Sequence, residues 1–485
     1  MSNTHFDVLI LGAGLSGIGA ACHLTRKQKR KTYAILEQRE AIGGTWDLFR
    51  YPGIRSDSDM STFGFNFRPW REPKVLADGA SIKRYLTEAA TQYGVQKHIR
   101  HGRKVTHAEW SSAKGLWTIT AHNAATGQDE HYTAPFVIAG TGYYSYEGGF
   151  TPEFPGRKRF KGQIVHPQQW PEKLDYAGKK VVVIGSGATA ITLVPSMAAG
   201  GADVTMLQRS PTYVLSVPSI DPLWSKLSRF LPSKAVYAAT RVRNIGLQRM
   251  LFVASRERPE SVKRLIHKLT SRQLGGKVDI KHFTPRYNPW DERLCVVPDG
   301  DLFRALRKGQ ARIVTDTIKT FDATGIQLDS GEHLDADIIV TATGLNLQLF
   351  GGASMAVDGE PVVIKDRLVY KGMMIEGVPN LVAILGYTNA SWTLKADIVC
   401  EHFLRIMAHM DKKQLKVVTP RATGVKHSDE TVMGSLASGY VRRGADFLPR
   451  QGDRAPWKVL NDYVRDAVAL KVGKVTNSGL EYRGA

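Results

Sequence analysis

The sequence predicts an α/β protein with two parallel-sheet domains and a helical insert in the second. Two observations carry this expectation. An apolar run breaks into a glycine loop and then a helical pattern twice, in FDVLILGAGLSGIGAACHL at 6–24 and KKVVVIGSGATAITLVPSMA at 179–198. A strand, a tight glycine turn and a helix in that order make the nucleotide-binding half of a doubly wound sheet. Between the second loop and the next strong strand signal lies a basic, helix-patterned stretch at about 217–283.

Bulk properties bound the alternatives. A chain of 485 residues suits two or three domains. With 42% hydrophobic and 23% charged residues it is an ordinary globular composition. Its 3 cysteines, Cys22, Cys295 and Cys400, are far apart and form no CxxC pair. That argues against a metal knuckle or dithiol centre, so no metal site is expected, and it suits a reducing, cytoplasmic setting. No run of 18 apolar residues marks a spanning helix. The apolar N-terminal stretch leads into a glycine loop and does not read as a signal peptide.

The net charge is +21, from 66 basic and 45 acidic residues. Residues 224–281 hold 14 Lys and Arg against 3 Asp and Glu, so +11 of it lies there. A solvated basic helical face is the first reading, and peripheral contact with the inner face of a membrane is the second. Nucleic acid is not expected as a partner, because no binding fold announces itself. RKQKRK at 26–31 reads as a helix end, where cations complement the dipole.

Taken in order, the first loop divides its work among its glycines. Gly12 makes the turn, Gly14 admits a pyrophosphate and Gly17 lets helix and strand pack; Ser16 sits at the helix start. The next strand, TYAILEQ, ends at Glu37, 25 residues beyond Gly12. A carboxylate there accepts hydrogen bonds from a ribose. The motif binds a dinucleotide without deciding between FAD and NAD. In the second loop Gly185 and Gly187 are followed by Ala190 in the third position, with Ser186, Ala188 and Thr189 between. Here the residue 24 positions beyond Gly185 is Arg209, followed by Ser210. A guanidinium pairs with a 2′-phosphate, so this loop should prefer NADP(H). Two such units suggest two dinucleotides acting on each other, most economically FAD and NADPH. Without a redox cysteine pair, the electrons go to oxygen or an external acceptor.

Between the loops lies FKGQIVHPQQWP at 160–171, which shows neither helical nor strand alternation. It fits FxGxxxHxxxW through Phe160, Gly162, His166 and Trp170. With its flanking glycine loops it resembles the fingerprint of the type I Baeyer–Villiger monooxygenases. The related flavin-containing monooxygenases typically carry Tyr where Trp170 stands. GGTWDLFRYPGIRSDSDM at 43–60, YNPWDERLC at 287–295 and TATG at 341–344 extend the resemblance along nearly the whole chain. It is closest to the branch containing the ethionamide-activating monooxygenase.

The resemblance implies an FAD- and NADPH-dependent enzyme that inserts one oxygen atom of O2 beside a ketone carbonyl, with sulfoxidation as a side activity. Its alternatives are N- or S-oxygenation without carbon migration, or a membrane-resting NADPH-oxidising flavoprotein. It implies an FAD domain of residues 1–143 and 345–485, and an NADPH domain of 144–344 interrupted at 217–283. Arg293 falls where the family places its essential arginine, and Asp57 where the family places the carboxylate paired with it. A fixed guanidinium would stabilise the anionic oxygen that develops during transfer. Gly44, Thr45, Trp46 and Asp47 are expected along the flavin, Val105 in a short strand at its adenine end, and Arg55 and Ser56 on the nicotinamide side. GYTNASWTLKAD at 386–397 is expected to enter a helix near the flavin ring. In the connector, Gly162 is expected in an unusual backbone angle, His166 in a bond across the domain junction and Trp170 as a wedge. Many family members have Lys before the arginine, where it helps hold the 2′-phosphate; Glu292 stands here, so either Arg209 and other cations suffice or the selectivity for NADPH is weaker than the family norm.

Overall fold

The computed structural model describes residues 4–292, 294–434, 436 and 438–484. Two parallel sheets organise it. In the first, the strands lie in the order Leu381–Ala383, Phe136–Ala139, Val8–Leu11, Tyr33–Leu36, Ile99–Arg100. The three central strands, VLIL, YAIL and FVIA, are buried along their whole length. Continuous apolar runs are what a sheet covered on both faces requires. Val8, Ile10 and Ile35 face a helical layer with Ile18 and Phe403, while Leu9, Leu11 and Leu36 face Trp110, Trp117 and Ile119.

That second covering layer is an antiparallel meander of Arg103–Ser111, Leu116–Asn123 and Gln128–Ala134, extended by Ser354–Val357 and Glu360–Pro361. Val105 therefore lies in a nine-residue strand rather than a short one. Alternating buried and half-exposed positions along Leu116–Asn123 match a sheet with one covered face.

The second parallel sheet has the order Ala311–Thr315, Asp203–Gln208, Lys180–Ile184, Ile338–Thr341, Gln163–Val165. Its last strand comes from the connector, whose sequence showed no strand alternation. Three residues are too few to display a period, and a parallel edge strand need not alternate. In both sheets the glycine-loop strand lies beside the strand where the order reverses, Phe136–Ala139 or Ile338–Thr341. Doubly wound sheets bind ligands in the crevice at that reversal.

The basic stretch forms helices Pro222–Leu227, Ser233–Glu257 and Pro259–Leu274. Proline opens two of them at the position that needs no N–H, and Asp221 caps the first by accepting from Leu223 and Trp224 N–H. The helices are looped out between two parallel-paired strands, Tyr213–Val217 and Leu294–Pro298. The long helix docks on residues 61–64. Arg241 donates to the carbonyls of Ser61 and Gly64, each at 2.8 Å, and Tyr237 donates to Gly64 at 3.1 Å. Phe230, Val242 and Met250 remain exposed on this insert. The first helix, Leu15–Lys27, ends in Arg26 and Lys27. Lys27 pairs with Glu401 and Lys31 with Asp411 on the long helix Trp392–Lys413. Among the described residues no helix is long and apolar enough to cross a membrane.

Candidate functional site

Both glycine loops open onto one cavity of about 1300 Å³. Its first lobe is built on the loop after Val8–Leu11. Gly12 has φ +91°, which an L side chain rarely adopts, and a Cβ there would lie 3.1 Å from the Gly140 carbonyl oxygen. Gly17 does not line the cavity. A Cβ on it would come within 1.8 Å of the Gly12 oxygen, so its role is the close packing of helix on strand. In the second lobe Gly185 has φ +141°, and its Cβ would meet the Ala342 oxygen at 2.3 Å. The two loops thus make the same turn against the neighbouring strand of their own sheets.

Among the described residues, three helices of 12 or more residues start at this cavity, with N-caps Gly14, Gly187 and Ser391, and none has a side-chain cap. An uncapped N-terminus presents free N–H groups and partial positive charge, the arrangement that receives a phosphate or another anionic group. At the third, Asn389 Oδ1, Ser391 Oγ and Thr393 Oγ1 are buried with no partner among the described residues. Buried polar atoms normally find partners; Asn389 and Ser391 line the cavity, so their two orphan atoms fit a polar ligand edge. Trp392 ties this wall to the first lobe: its indole N–H donates to Ser16 Oγ at 2.8 Å, and its ring stacks on Tyr143.

Glu37, 3% exposed, ends the strand Tyr33–Leu36 at the cavity. It accepts from Ala13 N–H at 2.6 Å and Arg39 N–H at 2.9 Å. Burial pushes its carboxyl above the usual range, although both backbone bonds oppose the shift. Thr45, Trp46, Gly44 and Val105 line the same lobe. Asp47 does not. Its carboxylate, expected along the flavin, turns away to Arg39 and Lys83, each at 2.5 Å. Burial raises that carboxyl, but the bonds from Lys83 and Arg39 outweigh it and the net shift is downward. Three cations nearby, Arg39, Arg50 and Lys83, attract the side chain more strongly than an apolar wall could.

The nicotinamide-side expectations divide. Arg55, Ser56 and Asp57 all reach the cavity. Arg55 is committed to Asp301, with contacts of 2.5 and 3.4 Å, and Ser56 donates to the Ser58 carbonyl at 2.8 Å. Ser186, Ala188, Thr189, Arg209 and Ser210 line the second lobe, with Arg209 and Ser210 exposed. Tyr51, which the sequence reading passed over, bridges the lobes through a bond with Thr189, and burial pushes its phenol up to about 12. Arg293 lies outside the described residues. Its neighbours Glu292 and Leu294 line the cavity, and Glu292 pairs with Arg442 at 3.4 Å.

No connector residue lines the cavity. Phe160 is buried against Phe321 on the face of the second parallel sheet that carries Val182, Ile184 and Ile339. Gly162, expected in an unusual backbone angle, has no left-handed φ. It is needed for space, since a Cβ would lie 2.3 Å from the Asp337 oxygen and 2.5 Å from the Phe160 ring. His166 Nδ1 accepts from Gln168 N–H at 3.1 Å, so the proton sits on Nε2, which donates to the Gly344 carbonyl at 3.2 Å. Burial lowers its pKa and keeps the ring neutral. Gly149 makes room for that ring; its Cβ would overlap His166 Cε1 at 1.8 Å. Trp170 packs on the face of the second parallel sheet that carries Val181, Val183 and Val340. Among the described residues no cluster of three or more His, Cys, Asp or Glu could hold a metal.

A family model described as pyridine nucleotide-disulphide oxidoreductase matches residues 9–229. The probable FAD-binding monooxygenase AlmA of Acinetobacter baylyi is 53% identical over 479 residues, 99% of this chain and 96% of its own length. The putative FAD-containing monooxygenase MymA of Mycobacterium tuberculosis is 53% identical over 100% of this chain and 98% of its own. The FAD-containing monooxygenase EthA of Mycolicibacterium smegmatis is 50% identical over 99% of this chain and 97% of its own. Among solved structures, an oxidized steroid monooxygenase bound to NADP superposes with a TM-score of 0.76 at 21% identity, covering 99% of this chain and 100% of that one. An open structure of cyclohexanone monooxygenase gives a TM-score of 0.75 at 19% identity, covering 99% and 100%. These structures share the fold.

Proposed function

The chain belongs to the FAD-containing monooxygenases, and from that premise we propose that it is an NADPH-dependent Baeyer–Villiger monooxygenase. It inserts one atom of O2 beside a ketone carbonyl and releases an ester or lactone and water, with sulfide oxidation as a side activity. The observation that carries this reading is the opening of two glycine loops, from two separate parallel sheets, into one cavity.

FAD fits the first lobe. The N–H groups at the uncapped helix start after Gly14 would hold its pyrophosphate and Glu37 its ribose, while the orphan polar atoms of Asn389 and Ser391 would meet its polar ring edge. When bound, FAD supplies the acceptance of a hydride and the activation of O2. NADPH fits the second lobe, with the helix start after Gly187 on its pyrophosphate and Arg209 and Ser210 on its 2′-phosphate. Tyr51 and Thr189 fix the boundary where the two ligands would meet. We assign to Arg293, between two cavity-lining neighbours, the stabilisation of negative charge on the transferred oxygen, with Asp57 as the carboxylate that the family resemblance pairs with it.

The test is product analysis with FAD-loaded protein, NADPH, O2 and a panel of linear ketones, cyclic ketones and thioethers. Esters or lactones one oxygen atom heavier than the ketone are expected. Arg293→Ala should lower ester formation about 10²–10³-fold. NADPH oxidation matched by hydrogen peroxide, with no oxygenated product across the panel, would overturn the reading. Sulfoxides without any ester would replace it by heteroatom oxygenation.

A further inference from the structure

The cavity wall at residues 386–393 is held from behind by a buried charge pair that the proposed reaction does not use. Tyr387 lines the cavity and is 6% exposed. Its hydroxyl donates to Asp466 Oδ2 at 2.8 Å. Lys395 Nζ donates to the same oxygen at 2.6 Å, and lies 5.4 Å from the centre of the Tyr387 ring. Lys395 and Asp466 are 3% and 7% exposed, so both charges are shut away from water. Asp466 belongs to a different part of the chain, the helix Tyr463–Ala467. A second bond joins the same two regions: Asn389 Nδ2 donates to the Asn461 carbonyl at 2.8 Å.

A buried ion pair is weak support for stability, because desolvation of the two charges offsets most of their attraction. Replacing it by packed apolar side chains would serve a purely structural purpose as well. The placement of this pair, one aromatic ring from the cavity and in the first turn of the helix that faces it, gives it an electrostatic purpose. A paired Lys395 adds little net charge to the wall; an unpaired one would add a full cation in a region of low dielectric.

We propose that Asp466 is a positioning residue. It locks the wall 386–393 to the C-terminal segment 461–466 and balances the Lys395 charge, and so sets the potential of the redox group that occupies the cavity. This rests on the cavity being the flavin site.

Two measurements on Asp466→Asn test it. The asparagine keeps the shape and an acceptor for Tyr387 but removes the negative charge. In the FAD-loaded protein the flavin midpoint potential should move to more positive values, because an unbalanced cation favours the electron-rich reduced ring. Adding Lys395→Met in the same chain should bring the potential back towards wild type, a reversal that a packing defect does not produce. In protein without FAD, amide hydrogen exchange should quicken in 386–393 together with 461–466. An unchanged potential in folded, FAD-loaded Asp466→Asn overturns the electrostatic role. Faster exchange confined to 461–466 overturns the locking role. Failure of the wild-type protein to take up added FAD would refute the flavin assignment, and the exchange measurement would still decide the lock. Should Asp466→Asn fold poorly, Tyr387→Phe carries the exchange test, with the same expected pattern and the same refuting one.

Discussion

Replacing Glu37 by glutamine separates what the carboxylate costs the empty protein from what it does for a ligand. Glu37 is 3% exposed and its carboxyl is raised by burial, so the charged form is held against its own preference. The two backbone donors, Ala13 and Arg39, occupy one oxygen each. A carboxylate has about four acceptor positions, which leaves about two for ribose hydroxyls. Glutamine keeps one acceptor oxygen, and its NH2 group faces a backbone N–H. In the empty protein the loss of one backbone bond, about 1–3 kcal/mol, is opposed by relief of the buried charge. The melting temperature should therefore stay within about 4 °C of wild type. Towards FAD the variant loses at least one charge-assisted bond of about 1.5–3 kcal/mol, which is about a 10- to 150-fold rise in Kd. Quenching of flavin fluorescence on titration gives Kd, and a thermal melt of the empty protein gives the control. An unchanged Kd, or a steep fall in melting temperature with Kd intact, would refute this account of Glu37.

Three further outcomes follow from the same geometry. Arg209→Ala should cut kcat/KM for NADPH about tenfold or more while leaving NADH nearly untouched, because only the 2′-phosphate loses its fork; steady-state kinetics with both cofactors reads the ratio. Lys371 is lowered from the ordinary 10.5 to about 8, by burial first and by Arg405 second. Between those values the unfolded chain holds the proton and the folded one does not, so this group's contribution to stability increases as pH rises from 8 to 10.5. Thermal melts should show wild type gaining on Lys371→Met across that window and running parallel to it outside. Gly149→Ala should drive the His166 ring off the Gly344 carbonyl and the Gln168 N–H, losing two hydrogen bonds at about 1 kcal/mol each and lowering the melting temperature by about 2 °C. Combined with His166→Ala the two effects should be strongly non-additive, since the clash then has no partner; additive losses would contradict it.

The glycine loops, the strands before them and the helix-rich insert were legible because each is written in consecutive residues. VLIL and VVVI are apolar without alternation, and both break at a glycine that the backbone requires to have positive φ. What was not legible is pairing across the chain. Leu381–Ala383 completes a sheet begun at Val8, and Ser354–Val357 extends a meander begun at Arg103. Neither strand exceeds four residues, too short for a period to identify it or its partner. The direction of Asp47 was illegible for a related reason: its sequence neighbours are cavity residues, and its carboxylate is held by Lys83 and Arg39, which no local pattern connects to it.

The third wall of the cavity was expected from GYTNASWTLKAD at 386–397 as a loop entering a helix, and the structure adds how that helix begins. Gly14, Gly187 and Ser391 each open a helix without a side-chain cap, and the first two are the motif glycines themselves. A helix of 12 or more residues that begins on an uncapped N-terminus leaves several N–H groups to be satisfied by something else. At Gly14 and Gly187 a nucleotide motif names that something. At Ser391 the hydroxyl is of the type that usually caps, yet its oxygen is one of the three orphans. A capable cap left unused, beside the unpartnered Asn389 oxygen on the same wall, fits the proposal that a ligand completes this helix end. The same helix carries Lys395 in its first turn, where a cation opposes the dipole and is retained only with Asp466 beside it. The positive potential of the wall therefore comes from the uncapped helix start, with the Lys395 charge balanced by Asp466, an arrangement that suits the electron-rich ring we propose for the cavity.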